Sequence, residues 1–343
     1  MQTFSSRIIA WQRQYGRHTL PWQASRDPYR IWLSEIMLQQ TQVASVIPYF
    51  QRFIEHFPDL QSLASASQDA VLAQWSGLGY YTRARNLHRA AQHISENHAG
   101  TFPQDIEDIQ SLPGIGRSTA AAIAALAFGQ TRAILDGNVK RVLARHAGID
   151  GWPGDKAIEA QLWALAEARL PTRNIEAYTQ GMMDLGASVC TRTRPACSTC
   201  PVAHDCVGLQ QNLIDKLPTP RPKKLLPEKQ IRMLLLMNQQ QILLQRRPPS
   251  GIWGGLWSFP ELEVEADPLL HCRTHFGFRV GETVSLPVLQ HSFTHFKLHI
   301  HPMIARISSR SGLTQNPKHR WLAKHSALDM GLPAPVRTLL LQL

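Results

Sequence analysis

From Ser5 to about Val189, apolar residues return at every third and fourth position, interrupted only by short Gly, Pro and Asp punctuation. That spacing puts them on one face of successive helices, so this half is expected to be nearly all α. Between Gly208 and Lys229 the pattern stops. Prolines at 218, 220, 222 and 227 forbid regular helix and the lysines keep the stretch solvated, which predicts a linker. Beyond it come short apolar runs, IRMLLLM (231–237), QILLQ (241–245) and FKLHIHPMIARI (296–307), bounded by Gly, Pro and Asn as strands are. There is no repeat of fixed period. A multidomain α and α+β chain is expected: an all-α domain over 1–207, a linker over 208–229, and an α/β domain over 230–343. The 343 residues suffice for two cores, since single cores stop growing near ~250–300 residues.

Within the helical half, LPGIGRSTAAAI (112–123) joins two short helices. PQDIEDIQSL puts Ile106, Ile109 and Leu112 on one face, and Ser118 to Phe128 forms a second helix ending at Gly129. Gly114 and Gly116 let the backbone turn tightly and bring bare N–H groups at a helix start close to an anion, where the helix dipole favours negative charge. A plain connector between packed helices would show the same glycine pair.

The net charge of +11 favours a polyanionic partner, because phosphates neutralised by Lys and Arg release their counterions. Residues 230–343 hold 12 Lys/Arg against 6 Asp/Glu, and the residues before them 24 against 19, so no basic tail explains the excess. No apolar run of signal-peptide length precedes Gly16 and none of membrane-spanning length follows, so a cytosolic protein without a membrane partner is expected. Four of the five cysteines, Cys190, Cys197, Cys200 and Cys206, are spaced C-x6-C-x2-C-x5-C, unlike a disulfide-stapled domain and close enough for one loop to wrap a metal centre. Spacing alone leaves zinc and iron–sulfur both open. Four protein ligands leave no coordination position for substrate, so such a centre is expected to shape a loop. Arg192 and Arg194 inside that loop are suited to phosphate.

Two carboxylates are candidates for chemistry. In RDPYRIWLSEIMLQQTQV, Asp27 is the expected N-cap and Pro28 the first helical residue, which sets Glu35 two turns into a helix lined by Ile31, Trp32, Ile36 and Leu38. Desolvation there would raise its pKa and let it hold a proton near neutral pH, as a general acid must. In AILDGNVKRVLAR, Asp136 follows an apolar run and opens the next helix, an ordinary N-cap position that is expected to keep it ionised, with Asn138 placed to orient it. Paired carboxyls of opposite protonation habit mark acid and base roles.

These stretches, with LPWQ (20–23), GLGYYTRARNLHRAA (77–91) and MMDLGA (182–187), resemble the MutY-type adenine-DNA glycosylases of the helix-hairpin-helix superfamily over about residues 5–210. The resemblance implies a [4Fe–4S] cluster on the four cysteines and a hairpin (Leu112, Gly114, Gly116, Ser118) that grips the DNA backbone without reading bases. It implies that Glu35 protonates N7 of an extruded adenine and that Asp136 stabilises the positively charged sugar left behind. Gln40, Thr41 and Tyr80 match wedge positions that fill the gap left by the flipped base, and Leu20, Trp22 and Gln180 match the adenine pocket. In endonuclease III, a relative in the superfamily, the residue at the place of Ser118 is the lysine that attacks the sugar. Serine cannot form that Schiff base, so a monofunctional glycosylase that leaves an abasic site is expected.

In the second half, GIWGGLWSFPEL (251–262) resembles the MutT-like Nudix fold, whose hydrolases carry a metal-binding helix of the form Arg-Glu-x-x-Glu-Glu. Here EADPLLHCRTHFGF stands in its place, with too few spaced carboxylates for magnesium, so nucleotide hydrolysis is not expected. MutY-type enzymes use this domain to inspect 8-oxoguanine through a Phe-Ser-His loop. This chain has Phe293, Thr294 and His295, and threonine keeps the hydroxyl while adding a methyl that stiffens χ1. The implied substrate is double-stranded DNA with adenine opposite 8-oxoguanine or guanine, bound by a monomer with contacts to other repair or replication proteins. The rival readings are an endonuclease III-like lyase, a thymine–guanine mismatch glycosylase and a non-catalytic DNA-binding protein. Ser118 argues against the first, the MutT-like domain against the first two, and Glu35 with Asp136 against the third.

Overall fold

The computed structural model describes residues 2–222, 225–310 and 316–343. Helices follow one another through the first 210 residues: α1 (Phe4–Tyr15), α2 (Pro28–Leu38), α3 (Val43–His56), α4 (Leu60–Ser65), α5 (Gln68–Trp75), α6 (Thr82–Asn97), α7 (Ile106–Ser111), α8 (Arg117–Phe128), α9 (Gly137–Ala147), α10 (Lys156–Ala168), α11 (Ile175–Asp184) and α12 (Val207–Gln210). The side chains of Thr3, Asp27, Ser67, Asp105, Asp136 and Asp155 accept hydrogen bonds from first-turn N–H groups and fix where six of these helices begin. Gly129 and Gly148, at φ +67° and +68°, end α8 and α9 in the left-handed region.

Contacts divide the chain into two units. The first takes the described residues up to Ala64 and from Arg89 to 222. Its core is built by α1, α8, α9, α10 and α11 around Ile8, Leu143, Leu162, Tyr178 and Leu185. Among the described residues no helix is long and apolar enough to cross a membrane.

The second unit is organised on a mixed sheet: β1 (Glu228–Asn238), β2 (Gln241–Arg246), β3 (Trp257–Ser258), β4 (Glu261–Leu262), β5 (Phe278–Ser285), β6 (Leu289–Ser292), β7 (Lys297–Arg310) and β8 (His319–Ala323). The order β3-β2-β1-β7-β5 is extended by β4 on β1, β6 on β7 and β8 on β2. The three apolar runs read as strands become β1, β2 and β7. β1 and β7 pair in parallel from Glu228 opposite Lys297 to Met237 opposite Arg306. Helix α13 (Pro268–Phe276) joins this core through Cys272 and Phe276, which pack with Leu234, Leu243, Phe278 and Ala305. Helices α14 (Lys324–Leu328) and α15 (Ala334–Gln342) close the chain.

Two boundaries differ from the sequence reading. The expected first domain, 1–207, is not one contact unit, because Ser65–His88 belongs to the second. There Asp69 pairs with Arg246 at 2.9 Å, the Ser76 and Tyr81 hydroxyls donate to the Leu332 carbonyl at 3.2 and 2.9 Å, and Arg85 donates to the Gly254 carbonyl at 2.7 Å. Helical periodicity says which face of α5 is apolar and nothing about which core receives it. The expected linker, 208–229, is also only partly free. Leu217 is buried and its carbonyl accepts from Arg145 at 2.7 Å, Thr219 bonds Asp150 at 2.7 Å, and β1 already begins at Glu228.

Candidate active site

Asp27 accepts the Tyr29 N–H at 3.0 Å and Pro28 opens α2, as the cap spacing predicts. Ile31, Trp32, Leu33, Ile36 and Met37 are buried around Glu35, which opens on a cleft of about 560 Å3. Thr41, Ser118, Asp136 and Asn138 line the same cleft. Among the described residues no donor reaches the Glu35 carboxyl. Loss of hydration, with the negative charge of Asp136 second, pushes its pKa up to about 8.

Asp136 caps α9, accepting the Val139 N–H at 2.8 Å. The cap position alone predicts a lowered pKa, and the structure reverses the direction. Burial raises it, against the lowering effect of the Val139 and Asn138 hydrogen bonds and the charge of Arg141. Both carboxyls are therefore desolvated, and the negative charge of Asp136 further favours the protonated form of Glu35.

The sequence reading missed Arg141. Its guanidinium donates to the Asn138 Oδ1 at 2.8 Å, the Gly186 carbonyl at 2.6 Å and the Cys190 carbonyl at 2.8 Å, joining the start of α9 to the segment that enters the cysteine loop. Gly186 is required there, since a Cβ would lie 2.5 Å from the Asn138 Cβ. Arg145, buried, donates to the carbonyls of Leu217, Thr191 and Arg192 and lies 3.5 Å from the Cys190 sulfur. The signal that could have found Arg145 is its i+3 spacing from Val142 on α9, which sets a charged residue among buried positions.

In the hairpin, Leu112 and Ile115 are buried and Gly114 turns at φ +83°. Gly116 is different. It caps α8 at an ordinary φ of −94° with no side-chain cap bond, and a Cβ there would meet nothing within 4 Å. The fold does not need glycine at 116, and the first N–H groups of α8 lack a side-chain acceptor such as Asp105 gives α7 and Asp136 gives α9, which is the arrangement that receives an anion. The Ser118 hydroxyl accepts the Leu135 N–H at 2.9 Å.

Not every expected residue reaches the cleft. Trp22 is buried with its ring edge-on to Phe50 at 5.4 Å, and Gln180 is buried with its Nε2 donating to Asp184 at 2.8 Å. Neither they nor Leu20 line the cleft. Arg17, which does, is held by Asp184 at 2.6 Å. Gln40 and Tyr80, expected as wedges, are non-glycine residues with positive φ, +56° and +49°. In the second unit Tyr80 is 46% exposed, and Trp75 and Arg83 both donate to the Gly79 carbonyl beside it, at 3.0 and 3.2 Å. Tyr80 shares a pocket of about 530 Å3 with Trp253, His291, Phe293, Thr294 and His295. Phe293 stacks on Phe296 at 4.6 Å and meets Trp253 at 5.2 Å, so the walls are aromatic. Helix α13, where a Nudix hydrolase would carry its acids, has no Asp or Glu within its length.

Cys190, Cys197, Cys200 and Cys206 line one apolar cavity with Val142, Leu185 and Val202, and no disulfide joins them. Burial pushes the Cys200 thiol up to about 11. Among the described residues no three His, Cys, Asp or Glu side chains converge closely enough to hold a single metal ion.

Two family profiles match the chain: "HhH-GPD superfamily base excision DNA repair protein" over residues 33–168 and "NUDIX domain" over 232–342. An adenine DNA glycosylase of Buchnera aphidicola subsp. Acyrthosiphon pisum is 39% identical over 98% of this chain and 96% of its own length. That of Homo sapiens is 33% identical over 94% of this chain and 70% of its own. A thermostable thymine-DNA glycosylase superposes with a TM-score of 0.55 at 28% identity, covering 61% of this chain and 95% of its own. Sequence likeness along nearly the whole length, over a helical unit with a carboxylate-lined cleft and a Nudix-like sheet unit, means that the chain belongs to the adenine DNA glycosylase family.

Proposed function

We propose that this protein hydrolyses the N-glycosidic bond of adenine mispaired with 8-oxoguanine or guanine in double-stranded DNA, leaving an abasic site. The observation that carries this reading is a desolvated, proton-retaining Glu35 lining the same cleft of the helical unit as Asp136. Glu35, with no donor to hold its charge, keeps the proton and gives it to N7 of the extruded adenine. Protonation lets the base leave with the C1′–N9 bonding electrons, and the Asp136 carboxylate, held by Val139 and Asn138, faces the cationic sugar until water adds. Ser118 has no amine to trap that sugar, so excision ends at the abasic site.

The bare start of α8 takes a DNA phosphate, and the aromatic pocket of the second unit inspects the base opposite adenine through Phe293, Thr294 and His295. The four thiols line one apolar cavity, a donor set that fits the [4Fe–4S] cluster implied by the family, and Cys190, Cys197, Cys200 and Cys206 would hold it. Such a cluster would supply a rigid cross-link for the loop; Arg145 and Arg141 hold that loop through its carbonyls.

The test is a duplex with one adenine opposite 8-oxoguanine, incubated with protein and then with hot alkali. Strand cleavage only after alkali supports the reading. Cleavage before alkali, excision by Glu35→Gln at the parental rate, or tight binding without product each defeats it.

A further inference from the structure

Ser118 takes no part in the chemistry above, although it lines the cleft. Its Oγ is committed to the backbone N–H of Leu135, one residue before Asp136, at 2.9 Å. We propose that Ser118 is the positioning residue for Asp136: its hydroxyl fixes the peptide that aims the carboxylate, and so sets the geometry of the Glu35–Asp136 pair. This inference rests on the reading of that pair as the catalytic acid and charge stabiliser.

Asp136 is held from two directions. In front, its own carboxylate accepts the Val139 N–H and caps α9. Behind it, Leu135 has its side chain buried in the core of the first unit and its N–H bound by Ser118. Ser118 is itself held in place, since it stands in the first turn of α8, whose residues Ala120 to Ala125 are all buried. The hydroxyl thus carries the stiffness of a packed helix to the residue that precedes the carboxylate. Removing it would leave the Leu135 N–H without its acceptor and free the peptide to rotate, shifting Asp136 while leaving the cap bond intact. The chemistry of the bond also limits what can stand at 118. Serine and threonine accept an N–H, cysteine does so weakly, and alanine or the charged amine of lysine cannot.

The test compares S118A, S118C and S118T in the full chain by single-turnover excision, by affinity for a duplex bearing a non-cleavable 2′-fluoro-deoxyadenosine, and by amide exchange at Leu135. The hydroxyl is committed to Leu135 and alanine keeps the α8 backbone N–H groups that meet phosphate, so we expect S118A to slow excision ~10-fold or more with affinity changed less than ~2-fold, S118C to fall between, and S118T to retain most of the parental rate. Leu135 exchange should accelerate in S118A and stay protected in S118T. Parental rates in S118A and S118C, a loss of rate matched by a loss of affinity, or unchanged Leu135 exchange in S118A would each overturn the proposal. Should S118A not fold, S118C and S118T decide it by the same criteria. A parent without glycosylase activity, or an active Glu35→Gln variant, would instead indict the reading beneath it. With the parent active and Glu35→Gln inert, a fast S118A sinks this inference alone.

Discussion

Replacing Glu35 by glutamine separates the two effects of placing an acid where water barely reaches it. The carboxyl titrates near 4.5 in an unfolded chain and at about 8 in the fold. Between those values the folded protein binds more protons than the unfolded one, so stability falls as pH rises through the window. At ~1.4 kcal/mol per pH unit the full penalty above pH 8 approaches ~5 kcal/mol, and solvent entering from the cleft brings the expectation to on the order of 1–3 kcal/mol. Glutamine has the same shape and no charge to desolvate. The Glu35→Gln variant should therefore be inactive and yet more stable than the parent at pH 9, by several degrees in the melting of the helical unit, with the gap closing toward pH 5. Thermal unfolding of both proteins at pH 5, 7 and 9 measures this. A melting difference that does not grow with pH would show that the fold imposes no charge penalty on Glu35, and the argument for its proton would fall with it.

In the parent, single-turnover excision should hold level below pH 8 and then drop about tenfold per pH unit as Glu35 ionises; a flat profile to pH 9.5 contradicts its role as the acid. Gly186→Ala drives a Cβ into Asn138 at 2.5 Å and should cost about 1–3 kcal/mol of stability with a fall in excision larger than any loss of DNA affinity, read by denaturant melts and rate assays. Phe293→Ala, which opens the aromatic pocket, should reduce preference for adenine opposite 8-oxoguanine over adenine opposite guanine; equal loss on both duplexes would refute a lesion-reading role for that pocket. Purified protein should show broad iron–sulfur absorption in the visible blue that Cys200→Ser diminishes, and its absence from freshly purified, anaerobically handled parent would rule out the cluster.

The parts of this molecule that were readable in the chain are those set by local spacing. Asp27 with Pro28, Asp136 ahead of Val139, and Gly129 after Phe128 announce helix ends because caps act within four residues. The strands at 231–237, 241–245 and 296–307 were visible as apolar runs. What stayed hidden depends on contacts remote in sequence. The upward pKa of Asp136 comes from burial that its cap position does not reveal, and it reversed the expected direction. Arg141 reads as one more cation in KRVLAR until Gly186 and Cys190 fold against it. That Trp22 packs edge-on to Phe50 and that Gln180 donates to Asp184 are contacts the sequence does not reveal.

The assignment of residues 65–88 to the sheet-bearing unit bears on how this protein can be engineered. A cassette cut at the proline-rich stretch and grafted onto another enzyme would travel without the partners of Arg246, Leu332 and Gly254, which stay behind in the donor. Modular exchange must carry both pieces of the chain. By the same logic, a protease nick near residue 222 need not release a freely diffusing fragment, since the chain crosses into that unit twice.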